Sequence, residues 1–251
     1  MKTLISTLPL TKIVIAILCL SVLLCSCSHY YYVSNVQNVP LFKAKKEYRI
    51  SGSVGAGDYS SSVEAQVAVS VTEKMAIMAN FMRATGGDIE STNYGKGNYL
   101  EGALGYFRPI KRFGVFEIYG GVGGCRQHHK YAEYWSGEYY GKSDLSFGKL
   151  FIQPSFGFTS NAFDIAFSTR FCGLTYFDVS GNASSDEKFR TLSNKSHLFL
   201  EPAITLRVGW KYVKAQIQFV YSGYLNNPKL YFNEEYHISI GLQIALSSQN
   251  Q

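Results

Sequence analysis

Three groups of side chains in this 251-residue chain have types and spacings that could do chemistry. The first is His237-Ile238-Ser239. Residues two apart on a strand share a face, so His237 could take the Ser239 proton and make a nucleophile of it. The second is Cys125-Arg126-Gln127-His128-His129, a thiol and two imidazoles that could ligate a metal. Its spacing matches no standard zinc pattern, so no metal site is expected there. The third is Cys27, which follows the small residue Ser26 at the end of an apolar run. A thiol in that setting accepts lipid, with acyl chains such as palmitate.

Cys27 has its surroundings in order. Lys2 and Lys12 form a positive n-region, and Ile13 to Leu24 is an apolar core. The core has the length of a signal-peptide h-region and is too short to span a bilayer as a helix. Leu24-Cys25-Ser26-Cys27 then reads as a lipobox, with residues 1–26 a lipoprotein signal peptide and Cys27 the lipidated first residue. Cys25 is the poorer cleavage point, because Leu24 would precede it. An ordinary secretory signal is the alternative. Residues 27–46 read as a lipidated N-terminal tether that can dock against the domain, and 47–251 as that domain.

The elements that must position these groups are strands. With 19 Tyr and 17 Phe, frequent Gly and only 6 Pro, the composition suits long strands with aromatic belts. The formal charge is +6, of which the signal peptide carries two lysines, and no basic tract points to nucleic acid. From Glu47 onward, apolar and polar residues alternate with period two. Tyr236, Ile238, Ile240, Leu242, Ile244 and Leu246 take one face of the last strand; His237, Ser239, Gly241, Gln243 and Ala245 take the other. The same pattern gives ten strands, near 47–56, 62–72, 74–85, 98–108, 113–127, 144–158, 161–178, 196–210, 213–224 and 235–246. Pro154 and Pro202 fall inside two of them and call for bulges or shorter strands.

Tight turns alternate with longer polar loops at 86–97, 128–143, 179–195 and 225–234. This is the layout of an all-β, antiparallel up-and-down transmembrane barrel of about ten strands, eight being the smaller option. Its tight turns are periplasmic by the usual rule, which places the N-terminus and C-terminus together on the periplasmic side. Tyr106, Phe158, Phe163, Trp210 and Tyr212 cluster near the tight turns. Phe177, Tyr221 and Tyr236 cluster near the long loops, as two interfacial belts would.

With its lipobox, Asn38-Val39-Pro40-Leu41-Phe42, Ser51-Gly52-Ser53-Val54-Gly55, the run Val63 to Ala79 and Ile238-Ser239-Ile240-Gly241-Leu242, the chain resembles a known class. That class is the small outer-membrane β-barrel lipoproteins of the Bacteroidota type, related in architecture to outer-membrane-protein-A-like barrels. The resemblance implies a fold and the cell outer membrane, and no defined activity. The chain departs from it by not ending on a terminal aromatic, since Ser247 to Gln251 follow Leu246. Ser28-His29-Tyr30-Tyr31 also lack the acidic cluster associated with export to the cell surface, which implies a periplasm-facing lipid. His237-x-Ser239 resembles the His-x-Ser spacing of outer-membrane lipid A deacylases, but strand parity turns this pair away from lipid.

By the same parity Arg49, Glu64, Glu101, Glu117, Lys149, Asp164, Arg170, Glu201 and Arg207 face inward. Charges of both signs in a narrow lumen read as ion pairs that fill it, rather than as a lined pore. Cys125 and Cys172 read as two buried thiols, too far apart across an intervening strand to bond. Tyr131, Tyr134, Trp135, Tyr139 and Tyr140 in loop 128–143 read as recognition residues, because rigid aromatic side chains give contact area at low entropy cost. The expected protein is a lipid-anchored outer-membrane barrel with a structural or surface-recognition role, without cofactor or catalysis. Its partners are outer-membrane lipid and an extracellular ligand or envelope protein. A periplasmic lipid-anchored soluble barrel holding an apolar ligand is the alternative, and an envelope lipid A hydrolase a third.

Overall fold

In a computed structural model, described for residues 30–87, 94–132, 139–181, 192, 195–226 and 233–247, the alternating sequence closes into an antiparallel barrel. Its strands are β1 (Glu47–Gly57), β2 (Ser60–Ser70), β3 (Met75–Gly87), β4 (Tyr94–Ile110), β5 (Gly114–Ala132) and β6 (Tyr139–Thr159). They continue as β7 (Phe163–Gly181), β8 (Ser196–Gly209), β9 (Val213–Tyr221), β10 (Gly223–Tyr224) and β11 (Tyr236–Ser247). β10 continues β9 past Ser222 along the same neighbour, β8, so the wall has ten staves. The ring closes where β1 pairs with β11, from Glu47↔Ser247 to Gly57↔His237. β11 then pairs with β9, and β9 with β8.

The β2–β3, β4–β5, β6–β7 and β8–β9 turns share one end of the barrel with Glu47 and Ser247. The opposite, long-loop end is taller than the sequence suggests. β4 starts at Tyr94, β5 runs on to Ala132, β6 begins at Tyr139 and β7 reaches Gly181, so much of the expected loops is paired strand. These staves have 17 to 21 residues, well beyond the ~9–11 that cross a bilayer.

Proline, lacking a donor, opens the ladder without shifting it. Gln153 and Pro154 have no partner on β7, yet Ile152↔Phe171 and Ser155↔Ser168 keep one register. Beside Pro202 the β8 ladder skips to Ala203↔Val220, and this gap divides β10 from β9. Both strands keep their length, and the bulges lie elsewhere, at Tyr131/Ala132 and Ser146/Phe147.

The two faces divide by chemistry. On β11, Ile238, Ile240 and Leu242 are 46%, 52% and 57% exposed, whereas His237, Ser239 and Gln243 are buried. Trp210, Tyr212, Phe158 and Phe163 face outward near the tight turns, and Phe177, Tyr221 and Tyr236 do so toward the other end. Polar and aromatic residues line the inside. An apolar exterior around a polar interior is the outer-membrane type of β-barrel. It overturns the soluble alternative, which needed Ile204, Leu206, Ile240 and Leu242 to face inward; all four are outside.

The segment before β1 corrects the sequence reading. Residues 30–46 are not an external tether. From Tyr31 to Phe42 every residue but Val33 is buried, and the segment runs down the inside of the barrel. It starts with Tyr30 against Tyr59 at the long-loop end and reaches the tight-turn end at Lys43, whose ammonium donates to Arg112 O and Thr159 O. Leu41 and Lys46, at φ 55° and 62°, turn the chain back into β1. An eight-strand barrel is nearly filled by its own side chains; ten strands leave a wider bore, and this segment occupies it. Tyr30 and Ser247 therefore lie at opposite ends of the barrel.

Arg placed at Ile204 or Ile240 should cost about 2–4 kcal/mol each if the site lies near the bilayer midplane. The expected outcome is loss of the heat-modifiable band on gels, while Gln243→Asn, on the inner face of the same strand as Ile240, retains it.

Candidate functional site

An extended segment inside a closed barrel brings a donor and an acceptor per residue but meets no free sheet edge. Side chains of the wall replace the missing strand. Val36 N donates to Glu64 Oε2 at 2.7 Å, and Gln66 Nε2 donates to Val36 O at 2.8 Å. The Gln218 amide serves both main-chain groups of Gln37, accepting from its N at 2.6 Å and donating to its O at 2.9 Å. Gln153 donates to Asn38 O, Arg207 to Val39 O and Arg49 to Pro40 O. Phe42 N and Lys43 N donate to Glu117 and Glu47. Toward the long-loop end Tyr176 donates to Tyr31 O, and Glu234 N donates to Tyr32 O.

The wall charges meet the segment's side chains at mid-bore. Lys149 lies 3.4 Å from Glu201, and Arg170 lies 3.2 Å from Glu101 and 3.9 Å from Glu201, all fully buried. Tyr32 is tied in at both charges, donating to Glu201 at 2.5 Å and accepting from Lys149 at 2.7 Å. Asn35 donates to Glu101 at 3.0 Å and accepts from Arg170 at 2.8 Å. Asn80, bonded to Glu101, also accepts from Asn38. Above this network Tyr31 and Tyr32 pack in an aromatic cluster with Tyr99, Phe147, Tyr176 and Phe199.

The nine charges read as inward from the sequence all have a place here, whereas Cys27 lies outside the described residues. Glu64 pairs with His237 at 2.9 Å, and Asp164 pairs with Lys214 at 2.5 Å and with Arg207 at 3.8 Å. Arg49 pairs with Glu47 at 3.0 Å near the tight-turn mouth. Glu117 is completely buried and serves the segment backbone. Lys214, Glu47 and His237 were missed as charge partners. Lys214 and His237 stand at inward parity, so strand alternation carried the signal for both.

Tyr131 is not a loop residue. It lies in β5, buried, with its Oη 2.9 Å from that of Tyr31 and 2.8 Å from Ser143 Oγ. Tyr139 and Tyr140 belong to β6, and Tyr134 and Trp135 lie outside the described residues.

His237 and Ser239 share the inner face, but Ser239 Oγ and His237 Nδ1 have no hydrogen-bond partner, so no proton path joins them. Cys125 and Cys172 are buried free thiols. Among the described residues no group of three His, Cys, Asp or Glu could hold a metal.

At the long-loop mouth Glu234 closes over the segment's entry. It accepts from Tyr59 N at 2.6 Å and Ser60 N at 3.0 Å and bonds the Ser60 hydroxyl. Burial raises its carboxyl above the usual range. A Cβ at Gly57 would stand 2.2 Å from that carboxylate, so a larger residue there would have to push the Glu234 side chain aside. At the tight-turn mouth a basin of about 530 Å³ is lined by Lys43, Arg49, Arg112, Lys211 and Lys214 with Glu47 and Asp164.

No family model and no curated protein matches the chain. Among solved structures it is similar in layout to the N-terminal β-barrel domain of Pseudomonas aeruginosa OprF. That pair is 7% identical, covering 81% of this chain and 99% of that one, with a TM-score of 0.35. KdgM porin is 8% identical over 78% of this chain and 98% of its own, with a TM-score of 0.37. The translocator domain of autotransporter NalP from Neisseria meningitidis is 10% identical over 79% and 86%, with a TM-score of 0.41. These likenesses are confined to the barrel layout.

Arg170→Met leaves Glu101 and Glu201 buried without their shared cation and should cost about 3–5 kcal/mol, read as a lower midpoint for loss of the heat-modifiable form. Adding Glu101→Gln to that variant should recover part of the loss.

Proposed function

We propose that the protein is a lipid-anchored outer-membrane β-barrel that conducts nothing and acts as a structural or surface-recognition module through its tall long-loop end. The observation that carries this reading is the lumen. Residues 31–42, all but Val33 buried, are hydrogen-bonded to the wall along most of their length, inside a barrel whose outer face is apolar and belted with aromatics.

A catalytic role has little support. The His237–Glu64 pair sits inside the wall and holds the segment through Glu64, away from the lipid face. Recognition falls to the rim at the long-loop ends of β4 to β7, where the strands outrun the bilayer. An extracellular ligand or envelope protein is the partner this geometry would suit.

The protein should migrate as a heat-modifiable band, stay in the membrane pellet after carbonate, and give no steady conductance in a planar lipid bilayer. Reproducible channel openings from the full-length protein would overturn the closed-lumen reading.

A further inference from the structure

The direction of the lumenal segment bears on where a lipid on Cys27 can go. Tyr30 leaves the bore beside the β1–β2 turn, its ring 5.1 Å from that of Tyr59. This is the lowest part of the long-loop rim. β1 and β2 have 11 residues each, against 19 and 21 in β5 and β6. Eight to ten residues amount to roughly 26–34 Å of strand. The outward apolar rows of β1 and β2 end at the paired Val54 and Val63, both about 60% exposed. The Asp58–Tyr59 turn follows within a few residues, so this rim stands near the level of lipid headgroups.

Only three peptide links separate Cys27 from Tyr30, a reach of at most about 11 Å. The leaflet at the other end is the length of the bore away, and residues 31–42 alone, extended, measure roughly 40 Å. We infer that the lipid on Cys27 enters the outer leaflet at the cell surface, and that the chain gains its periplasmic end by passing down through its own barrel. This rests on the reading proposed above, both for lipidation and for long loops outside. It reverses the periplasm-facing lipid implied by Ser28-His29-Tyr30-Tyr31. No export signal is needed where the bore itself carries the N-terminal segment across.

The test uses the full-length protein in cells, with single cysteines read by a membrane-impermeant maleimide that adds mass. His29→Cys reports the N-terminal side, Ser185→Cys the loop after β7, and Asn161→Cys the β6–β7 turn. Cys125 and Cys172 are buried and silent. The expected result is that His29→Cys and Ser185→Cys react on intact cells, and Asn161→Cys only after the outer membrane is permeabilised. If Ser185→Cys reacts on intact cells while His29→Cys waits for permeabilisation, the inference is overturned and the barrel's orientation stands. If Asn161→Cys reacts first, the orientation itself falls, and the inference with it. Ser28→Cys repeats the reading should His29→Cys lose heat-modifiability. Metabolic labelling with an alkyne fatty acid should mark the wild type and not Cys27→Ala; an unmarked wild type overturns the lipid.

Discussion

An extended peptide cannot rest in a closed bore unless its amides find partners there, and the rest of this structure depends on that requirement. Each buried group left unpaired costs about 1–3 kcal/mol, so a segment of a dozen residues would be expelled from an apolar lumen. The wall answers with side chains that carry a donor and an acceptor together. Gln218 treats Gln37 as a neighbouring strand would, and Gln66 and Gln153 donate to the carbonyls of Val36 and Asn38. The inner face is therefore polar because of what it surrounds.

The buried charges follow the same logic. Lys149, Glu201, Arg170 and Glu101 form a neutral row, and a buried ion pair adds little net stability over well-packed apolar residues. What the row provides is position. Tyr32 and Asn35 each bond both a cation and an anion of the network, so sliding the segment by one residue would strand charges of both signs. Aromatic packing around Tyr31 and Tyr32 fixes the upper part, and the chain reversal at Leu41 and Lys46 fixes the foot.

Much of the wall was legible in the sequence, because alternation sets which face each residue takes and a one-residue error would turn every isoleucine of β11 inward. The nine inward charges could be named for that reason. The occupied lumen was not legible. A single strand surrounded on all sides has no polar face, so Asn35-Val36-Gln37-Asn38-Val39 shows no period. A faint sign existed in the inward amides of Gln66, Asn80, Gln153, Gln216 and Gln218, too many for charge pairing alone. Tyr131 was misplaced because strand pairing continues above the bilayer, where no hydrophobic pattern marks it.

The seam between β1 and β11 joins the first and last staves of the wall, and the segment it encloses precedes both in the chain. Tied by residues 43–46 to the foot of β1, that segment can be laid into an open trough before the ring is complete. Entry into a finished ring would strip each amide of water before its partner was in reach. The last strand is thus the clasp of a wall whose contents precede it in the chain.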